Sequence, residues 1–349
     1  MFFPNYFINE SFWAEFWLSA NDKNHNFQIF KNQFFQVIIY EYPFRFGQKF
    51  WYISKAPNFL NSEFGENDWW NFLDEITEAS KKAGIVYLKM DFDHQLCDKI
   101  PDFLQKLKNK YPKILTNTKS IQYLATMTLE IPKVDFSFGT SEISNTDLEK
   151  LFLQTKDFWQ KTNENIRRYT KKSLTKNWQI TTEKSVENFE FYYQIYKETS
   201  LRQKFAIQPK KYLQTLFEKD FIRIIILKDQ NNQPQAVWLG ILSDNTLTYL
   251  SGGNTEFSFK NYGQYIIHLV AAGLAVSENM SFYDLGGYDE RLGFSKFKDG
   301  YRGKIRKFVG PCDLVFLPEI YYPIMFAIKI LKKGRVRFLT AFFMNLIIS

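Results

Sequence analysis

The 349-residue chain has little of what covalent and metal-assisted catalysis usually need, with two cysteines and three histidines. Cys97 and Cys312 are too few to staple a chain of this length, which points to reduced thiols in a cytoplasm. The histidines are scattered: His25 in an Asn-rich stretch, His94 after Asp91-Phe92-Asp93, and His268 inside the apolar run Ile266-Ile-His-Leu-Val270. His94 and Cys97 form an isolated His-x-x-Cys with no matching second pair, so the spacing of a closed zinc site is missing. His268 reads as a satisfied helix histidine rather than a general base. There is no Gly-x-Ser-x-Gly elbow and no Walker loop, so attack by Ser or Cys has no local support. The first twenty residues hold no Lys or Arg and place Pro4, Asn5, Asn9 and Glu10 among their aromatics. That is not the basic and then apolar pattern of a secretory signal, and a cytoplasmic protein is expected.

Apolar mass, by contrast, is abundant. With 45% hydrophobic residues and 37 Phe, burial is not limiting, and 349 residues exceed the size at which one core stops growing. The net charge of +8 favours anionic partners: nucleic acid, a nucleotide diphosphate or an acidic membrane leaflet. Two segments concentrate it. Lys156 to Lys176 carries seven basic residues against Asp157 and Glu164, and Lys296 to Lys307 carries six against Asp299. Either one alone could equally be a solvated face.

The pattern of elements runs twice. Phe34–Tyr42 and Phe50–Ile53 read as paired strands, Trp69–Lys82 has helical spacing and stops at Gly84, and Val86–Asp91 is a strand ending in a carboxylate. Phe221–Leu227 and Ala236–Leu242 flank a turn at Asp229–Gln233, Thr246–Leu250 adds a strand, Tyr262–Ser277 reads as a helix, and Phe282–Asp284 is again a strand with Asp. Pro132–Asn145 loses the periodicity and is the expected linker. Helices are expected over Asp147–Ser173 and Val186–Glu198, the second with a stripe of Phe189, Tyr192, Tyr193 and Tyr196 that reads as core packing. The expected fold is α/β (α+β): two tandem acetyltransferase-like (GNAT-like) domains, each a mixed, mostly antiparallel sheet with helices. Their expected extents are 1–140 and 141–316, with 317–349 returning to the first.

The densest signal lies near the end of the second repeat, where Tyr283-Asp-Leu-Gly-Gly-Tyr288 is followed by Gly293-Phe-Ser-Lys-Phe-Lys298. Asp284, Gly286 and Gly287 bring bare backbone up to a ligand. The stretch resembles the signature of the Fem family of peptidoglycan-bridge aminoacyltransferases, a Tyr-Asp-hydrophobic-Gly-Gly strand end and then a Gly-x-x-x-Phe-Lys loop. Leu247-Thr-Tyr-Leu-Ser-Gly-Gly-Asn254, Glu198-Thr-Ser-Leu-Arg202 with Phe205, and Asn165-Ile-Arg-Arg168 extend the likeness, with weaker pieces at Ser11-Phe-Trp13 and Tyr52-Ile-Ser-Lys-Ala-Pro57. Only short helices fit before Phe221, so the family's type without a long helical-hairpin arm is the nearer one.

The resemblance implies transfer of an amino acid from aminoacyl-tRNA to the stem-peptide amine of a nucleotide-linked or lipid-linked precursor, with no metal, ATP or other cofactor and no DNA. Direct attack of an amine on an activated acyl group needs positioning, a proton acceptor and a positive charge at the developing oxyanion or leaving oxygen. Lys298 suits that charge and, with Phe297, matches the family's Phe-Lys pair; the alternative is a solvated loop lysine. Arg202 and Tyr249 match positions that hold the precursor, Arg offering a planar fork for diphosphate or carboxylate. Arg167, Arg168, Lys171, Lys172, Lys296, Arg302 and Lys304 are the candidate tRNA contacts. Two departures concern the precursor: Trp13-Ala-Glu-Phe-Trp17 stands for the family's Trp-x-x-x-Lys, and Thr162-Asn163 for its Thr-Arg.

Two rival readings remain at this level. An acyl-CoA N-acetyltransferase would need a pyrophosphate-binding turn, but Lys260-Asn-Tyr-Gly-Gln-Tyr265 ends in a bulky residue. The other is a non-catalytic, duplicated binding module. From Lys329 to Arg337 five basic residues precede an apolar run, Phe338–Ile348, too short to span a bilayer. It either lies on the inner face of the plasma membrane or packs back on the first domain.

Overall fold

The computed structural model describes residues 6–21, 25–96, 99–116 and 118–333. The expectations for Cys97 and for the apolar run at 338–348 lie outside the described residues. Contacts divide the chain into two units, Met1–Leu124 with Lys307–Ser349, and Ala125–Arg306. The first division falls ahead of the expected 132–145 linker, because the strand at Ala125–Glu130 pairs with Phe282–Gly287 and so belongs with the second repeat.

In the first unit, helix α1 (Ser11–Ala20) precedes strands β1 (Asn26–Lys31), β2 (Phe35–Pro43), β3 (Lys49–Ala56) and β4 (Asn58–Phe59). Helix α2 (Glu66–Lys82), strand β5 (Tyr87–Asp93), helix α3 (Ile100–Lys110) and strand β6 (Ile114–Thr116) follow. The chain returns later as β14 (Lys304–Val315) and α12 (Pro318–Lys333). Strands run β1-β2-β3-β5-β14, with β4 on β2 and β6 on β14. Buried Phe35, Val37, Ile38, Ile39 and Tyr40 make β2 apolar on both faces, as a strand covered on both sides requires. Helix α2 starts where Gly65 N–H donates to the Asp68 carboxylate at 2.7 Å and ends before Gly84, whose φ of +65° suits the left-handed stop. Its stripe of Trp69, Phe72, Leu73 and Ile76 is fully buried, each side chain contributing about 1.5–3 kcal/mol of apolar burial. The helix carries the crossover that makes β3 and β5 parallel, with Trp51 opposite Leu88 and Ile53 opposite Met90.

The second unit opens with β7 (Ala125–Glu130) and β8 (Glu142–Ile143), then α4 (Asn145–Gln154), α5 (Lys156–Lys161), α6 (Glu164–Leu174) and β9 (Gln179–Thr181). Next come α7 (Val186–Gln203), α8 (Lys210–Phe217), β10 (Ile222–Lys228), β11 (Pro234–Ser243) and β12 (Thr246–Asn254). Helices α9 (Glu256–Lys260) and α10 (Gly263–Ser277), strand β13 (Phe282–Gly287) and helix α11 (Gly293–Asp299) complete it. Strands run β7-β13-β12-β11-β10-β9-β8. β12 and β13 are parallel, Leu247 opposite Tyr283 and Thr248 opposite Asp284, joined across α10, which is buried nearly all round.

Two expectations are corrected. The single helix read over Asp147–Ser173 is three, α4 to α6. Thr155 turns its hydroxyl back on the Leu151 carbonyl at 2.6 Å, and Asn163 caps a new start by accepting the Ile166 N–H at 2.9 Å. The loop read around Lys298 is the short helix α11. The aromatic stripe of α7 is core packing as expected, with Phe189 and Tyr192 buried.

Candidate active site

The parallel pairing of β12 with β13 ends at Thr248 and Asp284, and the sequence there sets the geometry. Asp284 is buried and its carboxylate accepts the Gly286 N–H at 2.7 Å. Gly286 sits at φ +78°, and a Cβ on it would meet the Tyr249 carbonyl at 2.8 Å. Backbone and the Tyr249 strand therefore approach as closely as only glycine permits.

Helix α11 delivers Lys298 to this strand end. Its Nζ donates to the Gly287 carbonyl at 2.6 Å and lies 4.9 Å from the Phe294 ring centroid. Only 7% of Lys298 is exposed. Burial lowers its pKa to about 8, against the opposing pull of the Asp284 carboxylate. Lys298 is therefore not a solvated surface lysine. Phe297, the neighbouring residue, wedges between Tyr265, His268 and Tyr301, with ring centroids 5.2 to 5.4 Å away, and so fixes the helix.

Behind the lysine lies a buried hydrogen-bond chain. Trp238 Nε1 donates to the Tyr283 hydroxyl at 3.1 Å, and that hydroxyl is 2.7 Å from His268 Nδ1. Indole can only donate, so the arrangement fits Tyr283 donating onward to Nδ1 and a neutral imidazole with its proton on Nε2. Burial, then the Lys298 charge, lowers the His268 pKa to about 3. The reading of His268 as a satisfied helix histidine holds. Sequence reasoning missed the chain because Trp238, His268 and Tyr283 come from three elements.

The other candidate residues are distributed as follows. Tyr249 stands beside Trp238 with centroids 6.1 Å apart and rings inclined by 23°. Arg202, at the end of α7, is exposed and donates to the Asn254 carbonyl at 2.6 Å. Arg168, Lys171 and Lys172 lie exposed on α6, and Lys296 is exposed on α11. Arg167 turns back to the Gln160 and Thr162 carbonyls, and Lys304 pairs with Glu130 at 2.5 Å, so both serve the local fold. Arg302 is exposed at φ +55°. Cys312 is buried in the first unit with its thiol pushed up to about 12 by that burial, an inert state. Among the described residues no group of three or more His, Cys, Asp or Glu could hold a metal ion, and no helix is long and apolar enough to cross a membrane.

Two mixed sheets, each with one parallel pair bridged by a helix, are tandem GNAT-like α/β units. Residues 218–329 match the sequence model of the FemAB family. The structure of the chain is similar to the crystal structure of FemX, at 14% identity and a TM-score of 0.69, over 92% of this chain and 95% of that one. A conserved protein of unknown function from Bacteroides thetaiotaomicron is similar at 13% identity and a TM-score of 0.53, over 87% and 89% of the two chains. L-PGS from Bacillus licheniformis is similar at 10% identity and a TM-score of 0.50, over 97% of each. No curated protein matches the chain.

Proposed function

We propose that this acyltransferase-type protein transfers an amino acid from aminoacyl-tRNA to the stem-peptide amine of a nucleotide- or lipid-linked peptidoglycan precursor, at the strand end formed by Asp284, Gly286 and Gly287. The observation that carries the reading is the buried Lys298 ammonium resting on the Gly287 carbonyl. The acceptor amine attacks the ester carbonyl, and negative charge collects first on the carbonyl oxygen and then on the leaving ribose oxygen. A cation held in a partly dry site stabilises both, and the amine proton ends on the ribose oxygen that leaves. Amide replaces ester, so no energy source is called for. Phe297 positions the lysine, and Arg202 and Tyr249 hold the precursor. Loading from the cytoplasmic side, with or without contact to the membrane surface, suits these substrates.

Coenzyme A is the weaker donor. At the start of α10, where its pyrophosphate would sit, Tyr262 adopts φ +65° and stacks on Tyr169, so side chains crowd the helix end. The test incubates purified protein with a charged tRNA pool and each precursor and reads the product mass, with and without RNase. A precursor heavier by an amino-acid residue, lost on RNase treatment, is expected. Turnover of acetyl-CoA with no transfer from charged tRNA would overturn the reading.

A further inference from the structure

Helix α12 docks on the first unit by one face and leaves the other bare. On the docked face Tyr321 is buried edge-on to Tyr87, with centroids 5.0 Å apart, and its hydroxyl donates to the Asp313 carboxylate at 2.7 Å. Ile324 is buried too, and Ile320 and Met325 are half-buried against the cluster of Phe50, Val86, Tyr87 and Val315. The outer face carries Tyr322, 51% exposed, and Phe326, 66% exposed, one turn apart. Pro323 and Ala327, also exposed and one turn apart, lie beside them. Single exposed aromatics are ordinary, but four apolar residues in one strip make a surface that another body covers.

Charge indicates what that body is. From Ile320 to Ser349 the sequence has no Asp or Glu, while Lys329, Lys332, Lys333, Arg335 and Arg337 crowd together. Lys329 is exposed next to Phe326 on the helix. Attraction to the helix dipole accounts for lysines in the last turn, but not for the bare rings. Cover by the apolar run Phe338–Ile348 would satisfy the rings and leave the cations unanswered. An anionic lipid surface answers both.

We propose that the outer face of α12 docks on an anionic membrane surface, with Tyr322, Pro323, Phe326 and Ala327 entering the boundary between headgroups and acyl chains and Lys329 and the cations after it reaching lipid phosphates. A helix of 16 residues is about 24 Å long, and no described helix is long and apolar enough to cross a membrane, so α12 lies in the plane of the surface. Tyrosine offers an apolar ring with a polar hydroxyl, which suits that depth, and lysine stems run along apolar surface while their ammonium heads stay in water. The docked face keeps its contacts with the core. The inference goes beyond aminoacyl transfer and does not depend on it.

The test is co-sedimentation of the full chain with vesicles of phosphatidylcholine alone and of phosphatidylcholine mixed with phosphatidylglycerol, with polyphosphate as a soluble competitor. The chain is expected to bind the mixed vesicles and not the neutral ones, and to stay bound when polyphosphate is matched in phosphate. Phe326→Ser should weaken binding by roughly tenfold or more, the worth of one apolar ring withdrawn from water. Lys329→Ala should weaken it about fivefold, the share of one lysine at an anionic surface. Both variants alter exposed side chains, so thermal melts should not move. Equal binding to neutral vesicles, unchanged binding in Phe326→Ser, or full displacement by polyphosphate overturns the site. No vesicle binding by the wild type also overturns it. Sedimentation velocity then separates a face covered by a second copy, dimeric in the wild type and monomeric in Phe326→Ser, from one covered by the chain's own apolar run, monomeric in both. Transfer to a water-soluble precursor should be the same in Phe326→Ser and the wild type, so failure of this site and failure of the transfer reading are seen separately.

Discussion

The two units contain the same sequence of parts, and their parallel strand pairs end differently. In the first unit, the end of β5 is filled. The Tyr52 hydroxyl donates to the Asp91 carboxylate at 2.5 Å, and buried Lys89 pairs with buried Asp313 at 2.6 Å. Asp313 also accepts from the Thr118 and Tyr321 hydroxyls. In the second unit the corresponding end carries Asp284-Leu285-Gly286-Gly287, and buried Lys298 there is held by the Gly287 carbonyl. A lysine already neutralised by a carboxylate has nothing left to offer an oxyanion, whereas one held on a carbonyl keeps its charge for the reaction. The duplication thus pairs a locked end with an open one.

The locked end can be broken first. Lys89→Met or Asp313→Asn leaves a buried charge or a buried polar set unmatched and should cost about 3–5 kcal/mol of stability in chemical denaturation. Transfer per folded molecule should hold. A fall in kcat with unchanged stability would place chemistry in the first unit and dissolve the comparison.

At the open end, Lys298→Met should keep the fold and both substrate affinities but lose about 10²- to 10³-fold in kcat, with Lys296→Met losing much less. The lysine is active as a cation in this reading, so kcat should fall as pH rises through about 8, its lowered value. The stability sign is opposite. The unfolded chain binds the Lys298 proton up to a higher pH, so the cost of burying the charge shrinks between about 8 and the ordinary lysine range. Activity that instead climbs through pH 8 would make Lys298 a base.

Arg202→Ala and Tyr249→Phe should weaken precursor binding more than tRNA binding, Arg202→Ala by about 1.5–3 kcal/mol for a lost charged hydrogen bond. Isothermal titration with each ligand separates the two. Equal loss for both ligands would remove the assignment.

The glycines sharpen the contrast more gently. Gly84 and Gly286 both have positive φ, but a Cβ at Gly84 meets nothing within 4 Å, whereas one at Gly286 meets the Tyr249 carbonyl at 2.8 Å. Gly84→Ala should cost about 1–2 kcal/mol of backbone strain, and Gly286→Ala more than that, with loss of turnover. Thermal melts and rates on both variants check it. Smallest of all, Lys304→Ala removes an exposed pair with Glu130 and should change stability by no more than about 1 kcal/mol.

Much of this was legible in the chain. Apolar spacing in α2 and α10, the strands around them, and the glycine pair after Asp284 are local signals, and local signals survive in one dimension. The breaks at Thr155 and Asn163 were missed because a threonine turned back on its own helix and a new asparagine cap look, in sequence, like ordinary polar positions of a longer helix. Strand β1 was missed because Asn26–Lys31 lacks a buried face of its own and is held by pairing with β2.

By itself the sequence determined two units of one pattern and a Gly-Gly strand end followed by Phe297 and Lys298. Tertiary structure decided what those residues can do. Burial lowers the Lys298 pKa, the Gly287 carbonyl holds its ammonium without cancelling it, and α10 folds back to set His268 on Tyr283 and Tyr262 on Tyr169. The reason is physical. Residue identity fixes which groups exist, but desolvation and the distance to a partner decide their charge, and both arise only when elements remote in sequence pack together.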